Sequence, residues 1–307
     1  MPKFSVVVPT YNRARLVGRS IETLLAQTFR DFEIIVIDDG STDGTQEALK
    51  PYQDKIRYYH QHNQGVSAAR NHGIRMSAGE YIAFTDDDVI VDLHWLAHID
   101  QCFQENRCDV VGGRVLPIYP DGTPLWVRNN PIKISGGVTI YDYGETTSAF
   151  DPSQYRFIGA NFAFRKYIFN EYGNFREDLK YGSRIAIGED IEIVNRVLKK
   201  NKILYYCGKA LVHHPVDLKR LTLAHAARWN MALGHFDARQ EWENDPKHFS
   251  YWLGVPRYLW KGVMADFLRL CVSVFDHMAL YDACRGFFRK VGMISEYRQM
   301  KQEGKII

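Results

Sequence analysis

The sequence lacks several features that indicate particular classes of protein. Its five cysteines form an odd set without a Cys-x-x-Cys pair, which leaves no zinc-like ligand spacing. There is no Gly-x-Gly-x-x-Gly sequence and no Walker lysine motif, so dinucleotide-binding and P-loop functions are not supported. No apolar run approaches the roughly eighteen residues of a membrane span. The cysteines are Cys102, Cys108, Cys207, Cys271 and Cys284.

The charge of the chain is balanced, with 39 basic and 36 acidic residues and a net charge of +3. This balance does not favour a nucleic-acid partner. The first residues, "MPKFSVVVPT", become strand-like at once, so we expect no export signal. The unpaired cysteines then predict a reduced, cytoplasmic location. With 307 residues, 46% of them hydrophobic, the chain can form one large domain or two modest ones.

The N-terminal sequence alternates between strand and helix patterns. "FSVVVP", "FEIIVIDDG", "KIRYYH" and "EYIAFTDDD" read as strands, because they are short and rich in β-branched and aromatic residues. Helical patterns lie between them, in "YNRARLVGRSIETLLAQ", "STDGTQEALKPY" and "GVSAARNHGIRMS". The second helix is predicted to have Asp43 as its capping residue, with Gln46 three positions later. The fold class is therefore α/β, with a mostly parallel sheet flanked by helices.

Polar clusters follow three of these strands, namely "PTYNR", "DDGSTDGT" and "TDDD". Ligands in such folds bind beyond the carboxyl ends of the strands, so we expect the clusters to form one site. Three consecutive carboxylates are unusual there, because two like charges about 4 Å apart repel by roughly 4 kcal/mol at an effective dielectric near 20. A divalent cation would compensate this repulsion. The alternative for an isolated triplet is a solvated turn.

Five ordered motifs resemble the family 2 glycosyltransferases, which have the GT-A fold. They are "SVVVPTYNR", "IIVIDDGSTDGT", "NQGVSAARNHG", "GEYIAFTDDD" and the pair "GANFAFRK" with "GED". The resemblance implies an inverting enzyme that moves a sugar from a nucleotide diphosphate donor, with UDP expected as the nucleotide. Many relatives carry a fourth acidic residue where Val89 stands here.

The resemblance also implies roles for individual residues. The residues of the donor-binding set are Pro9, Tyr11, Asp39, Arg70, Asp86 and Asp87. Among them, Asp39 would contact the base and Arg70 the nucleotide or diphosphate. Asp86 and Asp88 would be the two ends of the Asp-x-Asp motif, with Asp88 on a bound Mn²⁺ or Mg²⁺. Such hard cations prefer oxygen ligands and would bridge the carboxylate to the diphosphate.

Two further groups lie in the second half of the chain. Glu189 and Asp190 begin a helical pattern, where acidic residues can simply complement the helix dipole. The resemblance implies that Asp190 is instead the general base that takes the proton of the acceptor hydroxyl. In "LVHHP", His213 or His214 is either a metal ligand or a structural histidine, and His213 is placed with Asp88 as a metal candidate.

We predict a catalytic domain over residues 1–215, with a nucleotide-sugar-binding half at 1–115 and an acceptor-side half at 116–215. Residues 216–307 form a helical C-terminal region. The expected acceptor is a glycan or a lipid-linked molecule in the synthesis of cell-surface polysaccharide, lipopolysaccharide or glycolipid. Two alternatives stay open: a non-catalytic protein that binds sugar nucleotides, and a sugar nucleotidyltransferase.

The C-terminal region mixes aromatic, aliphatic and basic residues, as in "VPRYLWKGVMADFLRLCVSVF". Such a helix either packs on the core or lies in a membrane interface. We hypothesise a peripheral contact with the inner face of the cell membrane, because basic residues favour an anionic leaflet.

Overall fold

The computed structural model of the protein describes residues 1–134, 136–152, 157–179, 187–245 and 250–305. These residues form two compact units. The first unit contains Met1–Ile118, residues 140–179 and Glu189–Pro215, and the second contains Tyr119–Thr139, residues 187–188 and residues 216–305. The predicted division of the catalytic domain into a donor half and an acceptor half stays a prediction. The two units are defined by their internal packing, which does not reveal the ligand that each segment binds.

The first unit is built on a nine-stranded sheet, counted over the described residues. Its strands are β1 (Phe4–Thr10), β2 (Phe32–Asp38), β3 (Arg57–His60), β4 (Tyr81–Phe84), β5 (Ile90–Val91), β6 (Val110–Ile118), β7 (Thr147–Ala149), β8 (Phe162–Arg165) and β9 (Leu204–Pro215). The spatial order is β3-β2-β1-β4-β8-β6-β9-β5, and β7 pairs with β9 outside this path.

The N-terminal half of the sheet is parallel, as the alternating pattern predicts. β1 pairs in parallel with both β2 and β4, and β2 pairs in parallel with β3. Every residue of β1 is buried, which is typical of a strand covered on both faces. The predicted α/β class and flanking helices are confirmed.

The second half of the sheet is mixed. β8 runs antiparallel to both β4 and β6, whereas β6 and β9 are parallel. Their register shifts between Gly113 and Arg114, where the side chain of Asn161 donates to the carbonyl oxygens of Arg114 and Ala210 at 2.8 Å. This amide satisfies backbone groups that the interrupted ladder leaves unpaired. No period-two pattern in the sequence revealed these antiparallel pairs.

Helices connect the strands of the first unit. They are α1 (Val17–Leu25), α2 (Thr45–Leu49), α3 (Val66–Met76), α4 (Trp95–Asn106), α6 (Tyr167–Tyr172) and α7 (Glu189–Leu198). The N-cap of helix α2 is Gly44, one residue later than the predicted cap Asp43. The Asp43 carboxylate still accepts from the Thr45 backbone N–H at 3.1 Å, so it satisfies a donor of the first turn from outside the helix.

The second unit is mainly helical. Its helices are α5 (Leu125–Arg128), α8 (Leu223–Asn244), α9 (Arg257–Val272) and α10 (His277–Gln302), and β10 (Tyr251–Trp252) forms a short hairpin with β11 (Val255–Pro256). Helices α8 and α10 approach closely at two glycines. A Cβ atom on Gly234 would lie 2.0 Å from the Arg289 carbonyl oxygen, and one on Gly292 would lie 2.2 Å from that of Met231. Over the described residues, no helix is both long and apolar enough to cross a bilayer.

Helix α3 packs against β1 through Gly73, and this contact predicts an effect on stability. A Cβ atom at Gly73 would lie 2.3 Å from Cγ1 of Val7, which is fully buried. We expect Gly73→Ala to lower the free energy of unfolding by about 1–3 kcal/mol through overpacking, despite the higher helix propensity of alanine.

Gly18 in α1 provides the matched control, because its added Cβ atom would meet only the Tyr52 side chain, with the hydroxyl oxygen at 3.4 Å. Gly18→Ala is expected to be neutral or stabilising by up to about 1 kcal/mol. Urea unfolding of both variants measures the difference. Equal stability of the two variants would contradict the tight contact between α3 and β1.

Candidate active site

The loops that follow β1 and β2 are joined by hydrogen bonds. The Asn12 side chain accepts from the Thr42 backbone N–H at 2.8 Å, and the Asn12 backbone N–H donates to the Ser41 hydroxyl at 2.9 Å. The next backbone N–H, that of Arg13, donates to Thr45 at 2.9 Å. Two of the three predicted polar clusters therefore form one rim at the carboxyl ends of the strands.

Three residues of the predicted donor-binding set lie along this rim. Pro9 is buried within β1, whereas the ring of Tyr11 is 48% exposed directly after that strand. The Asp39 carboxylate is buried and accepts from the Gln61 side chain at 2.7 Å and from the Gln64 and Gly65 backbone N–H groups at 2.9 and 2.7 Å. A carboxylate has about four acceptor positions, so these three bonds leave one position that can accept a hydrogen bond from a ligand.

The carboxylates of Asp86, Asp87 and Asp88 are crowded after β4. Burial and the charge of Asp88 raise the pKa of Asp87 to about 7, and burial also raises the pKa of Asp86. Arg13 supplies partial compensation, with Nε 3.4 Å from Asp87 Oδ1 and one terminal nitrogen 3.7 Å from Asp88 Oδ2. Arg13 belongs to the "PTYNR" motif, but the sequence did not predict this role for its side chain.

Asp86, Asp88 and His214 form a group that can hold a metal ion. Each offers one ligand atom, and these atoms lie within 4.8 Å of one another. Oδ1 of Asp88 is buried and has no hydrogen-bond partner among the described residues. The His214 Nδ1 atom lies 3.0 Å from the Pro215 carbonyl oxygen. A carbonyl can only accept, so Nδ1 carries a proton and Nε2 keeps its lone pair for a metal.

The structure brings His214, and not His213, to the two aspartates. Both residues lie in β9, where consecutive side chains point to opposite faces of the sheet. His214 is 8% exposed and its Nε2 lies 3.7 Å from Asp88 Oδ1. His213 is opposite Ile90 of β5 in the register. The adjacent pair in "LVHHP" left this choice open, because the sequence does not fix the face of the strand.

Arg70 links the acidic cluster to the start of α7. Its guanidinium group lies 2.8 Å from Glu189 Oε1 and 3.4 Å from Asp86 Oδ1, and its side chain is only 3% exposed. The rings of Phe162 and Phe175 lie 5.8 and 5.4 Å from the same guanidinium carbon. The predicted contact of Arg70 with a nucleotide stays a prediction, since two carboxylates already flank this group.

Asp190 lies beside this ion pair in the first turn of α7. Its Oδ2 accepts from the Gly159 backbone N–H at 3.0 Å, and Oδ1 accepts from the Ile191 backbone N–H at 2.8 Å. Burial and the neighbouring charge of Glu189 raise the pKa of Asp190, although Arg70 and both N–H groups oppose this shift. A raised pKa suits a carboxylate that accepts a proton during a reaction.

Gly159 is a site residue to which the "GANFAFRK" motif alone assigns no role. A Cβ atom there would lie 2.5 Å from a terminal nitrogen of Arg70, so any side chain would displace the guanidinium group. The glycine therefore allows Arg70 to reach Glu189 while its own N–H orients Asp190. One sequence cannot reveal this role, because the clash involves residues 89 positions apart.

Comparison with known proteins identifies the family. The model of "Glycosyl transferase family 2" matches residues 5–173, which is more than half of the chain. The chain belongs to this family. The predicted resemblance to this family is thus confirmed.

Two curated relatives each match about a third of the chain or less. Glycosyltransferase GlyG of Streptococcus pneumoniae is 42% identical over 113 residues, which is 36% of this chain and 38% of that protein. An uncharacterized glycosyltransferase of Rickettsia felis is 48% identical over 88 residues, which is 28% of this chain and 15% of that protein. The matched segment thus spans well under half the length of either relative.

Solved structures share the fold along nearly the whole chain. S. aureus TarS 1-349 in complex with UDP has a TM-score of 0.56 and 21% identity, covering 98% of this chain and 92% of that one. Mannosyltransferase PcManGT from Pyrobaculum calidifontis, in complex with GDP-Man and Mn²⁺, has a TM-score of 0.62 and 13% identity, covering 96% and 87%. These likenesses confirm the GT-A-type fold.

The buried Arg70 ion pairs predict a large effect on stability. We expect Arg70→Met to lower the free energy of unfolding by about 3–5 kcal/mol, because Glu189 and Asp86 would lose their shared cation in a site of low exposure. Arg57→Met is the matched control. Arg57 pairs with Glu33 at 2.6 Å, but its side chain is 41% exposed, so its loss is expected to cost about 0–1 kcal/mol.

Denaturant unfolding of the two arginine variants measures both values. A cost for Arg70→Met no greater than that for Arg57→Met would show that the buried pairs do not hold the site together.

Proposed function

We propose that the protein transfers a sugar from a nucleotide diphosphate donor to a hydroxyl group of an acceptor, with inversion at the anomeric carbon. The observation that carries this proposal is the link made by Arg70, whose ion pairs connect the acidic cluster to the start of α7, where Asp190 lies. This link supports the proposal, because it holds the acidic cluster and the first turn of α7 together within the first unit, and a displacement reaction requires its reacting groups to be held close together.

The residues present fit a divalent cation, Mn²⁺ or Mg²⁺. Two carboxylates and one imidazole provide hard and borderline ligands, and the buried Asp88 Oδ1 has a free acceptor position. Asp86, Asp88 and His214 would hold the ion. A bound cation would stabilise negative charge on the departing diphosphate.

The donor is a nucleoside diphosphate sugar, and we propose UDP as its nucleotide. Tyr11 offers an exposed ring and Asp39 one acceptor position at the rim formed by the β1 and β2 loops. The structural relatives support a nucleotide donor, since TarS was solved with UDP and PcManGT with GDP-Man and Mn²⁺. We assign Pro9, Tyr11, Asp39, Arg70, Asp86 and Asp87 to this donor site.

Asp190 acts as the general base in this proposal. Its carboxylate takes the proton of the acceptor hydroxyl while that oxygen attacks the anomeric carbon and the bond to the diphosphate breaks. The Gly159 and Ile191 N–H groups orient the carboxylate for this step. We propose a glycan or lipid-linked acceptor for cell-surface polysaccharide, lipopolysaccharide or glycolipid synthesis.

The two alternative functions fit these residues less well. A protein that only binds sugar nucleotides has no need for a carboxylate with a raised pKa beside the donor site, as Asp190 is here. A sugar nucleotidyltransferase is expected to have a glycine-rich basic loop after its first strand. The "PTYNRARLVG" segment has one glycine, and its side chains bond to the neighbouring loop instead.

The adjacent histidines provide a test of the metal site. We expect His214→Ala to weaken Mn²⁺-dependent UDP binding by about ten-fold or more, because one ligand of the ion is lost. His213→Ala changes the neighbouring residue of the same strand and should leave this binding unchanged. Calorimetric titration of UDP with and without Mn²⁺ measures both. Equal effects of the two substitutions, or transfer that survives an excess of chelator, would contradict the metal site.

The assignment of Asp190 as the general base predicts a loss of turnover on its replacement and a pH dependence of the wild-type rate. We expect Asp190→Asn to lower kcat by about 10² or more, while Mn²⁺ and UDP affinities stay nearly unchanged. Since only the ionised carboxylate accepts a proton, the wild-type kcat should fall as the pH decreases. The decline should begin at a higher pH than an ordinary aspartate with a pKa of about 3.9 would give.

Rates measured across pH with saturating donor and Mn²⁺ test this assignment, and Glu171→Gln, at an exposed position of α6, is the control. A turnover of Asp190→Asn close to that of Glu171→Gln would require another residue to be the base.

A further inference from the structure

The second unit exposes an apolar surface that neither the donor site nor the acidic cluster uses. Met264, Leu268, Cys271 and Val272 lie on one face of α9, because they are separated by four, three and one residues. All four are exposed, and Val272 is 79% exposed. The face continues into the corner between α9 and α10, where Val274 is 57% exposed and Phe275 is 99% exposed.

A second segment extends this surface. Helix α5 lies about 150 positions earlier in the chain, yet the Trp126 ring stacks on His277 at 6.5 Å and contacts the Tyr281 ring at 5.6 Å. Its neighbour Leu125 is 74% exposed. The Arg285 side chain of α10 donates to the Lys133 carbonyl oxygen, and Ile132 beside it is 79% exposed. The segment of residues 125–133 thus packs beside α10 and exposes two large apolar side chains there.

Exposed cations border this surface. Lys261 lies on the same face of α9, and Lys133 lies next to Ile132. Neither ammonium group is within ion-pair distance of a carboxylate in the described part of the chain. Arg269 has only a long contact of 3.9 Å with Asp266, and its side chain is 70% exposed.

The carboxylates near the surface are already engaged. Asp276 accepts from the Met278 and Ala279 backbone N–H groups at 2.9 and 3.0 Å, so it caps α10. Asp266 pairs with Lys290 at 2.5 Å, and Asp282 lies 3.4 Å from Arg285. The exposed charge that a partner would meet is therefore mainly positive.

We propose that this apolar surface inserts into the interface of an anionic lipid bilayer. Its main side chains are Met264, Leu268, Val272 and Phe275 near α9, with Leu125 and Ile132 in the second segment. An exposed apolar corner that is bordered by exposed cations suits the surface of an anionic bilayer. The apolar side chains would enter the acyl boundary, and the cations would meet the anionic headgroups. A symmetric contact between two copies of the chain would bring Lys261 and Arg269 of one copy near those of the other. The repulsion between these cations disfavours a dimer at this surface. This proposal is independent of the donor site.

Cys271 makes the proposal directly testable on the full chain. It is exposed, whereas the other four cysteines are buried, so a thiol-reactive, environment-sensitive fluorophore labels this position selectively. We expect a blue shift and an intensity increase on addition of vesicles containing phosphatidylcholine and phosphatidylglycerol. The response should weaken with added salt and be much smaller with phosphatidylcholine alone.

Three variants locate the contact by vesicle co-sedimentation. Val274→Ser with Phe275→Ser removes the corner, and Leu125→Ser removes the part contributed by α5. We expect a loss of partitioning of about ten-fold for the first and several-fold for the second. Lys261→Gln with Arg269→Gln should lower binding about ten-fold at low salt and reduce its salt dependence. Ile203→Ser, at a 49% exposed apolar position of the first unit, is the control and should bind as the wild type does.

Three results would overturn the proposal. The first is wild-type binding to anionic vesicles no stronger than to neutral ones at low salt. The second is binding by the corner or Leu125 variants equal to that of Ile203→Ser. The third is a Phe275-dependent dimer in sedimentation velocity without vesicle binding, which would make this surface a contact between copies of the chain.

Discussion

The crowding of carboxylates after β4 is the constraint on which the site depends. Asp86, Asp87 and Asp88 lie at the end of a fully buried strand, where burial and mutual repulsion raise the pKa values of Asp86 and Asp87. Such an arrangement is costly unless cationic groups offset it. Arg13 and Arg70 do so within the chain, from the loop after β1 and from α3. The imidazole of His214 and one oxygen of Asp88, which no described residue hydrogen-bonds, leave a place for a further cation.

The two arginines also connect this constraint to the rest of the first unit. Arg13 is fixed by the hydrogen bonds between the loops after β1 and β2, so the acidic cluster and the rim formed by these loops share one support. Arg70 lies against two phenylalanine rings and pairs with Glu189, which places the first turn of α7 beside the cluster. In this account, the fold positions Asp190 through the same ion pairs that balance the aspartates.

Local sequence patterns could predict the parallel half of the sheet, because each strand and helix there has its own periodicity and the polar clusters mark the strand ends. They could not predict the antiparallel insertion of β8, which depends on pairing with β4 across 80 positions. The sequence also did not reveal which side chains of β9 point towards the aspartates. The choice between His213 and His214 therefore required the register of the strand. The roles of Gly159 and Leu125 depend on contacts between distant segments, which one sequence does not encode in any local pattern.

The central claim is that the acidic cluster holds a divalent cation against the diphosphate of the donor. Pulsed electron paramagnetic resonance of Mn²⁺ with the protein and UDP tests it most directly, because couplings to ³¹P and to ligand nitrogen report the atoms bound to the ion. The account predicts both couplings in one Mn²⁺ per chain, with the nitrogen coupling lost in His214→Ala and retained in His213→Ala. Bound Mn²⁺ that shows ³¹P coupling with the same nitrogen signal in His214→Ala, or no protein-bound Mn²⁺ at all, would contradict it.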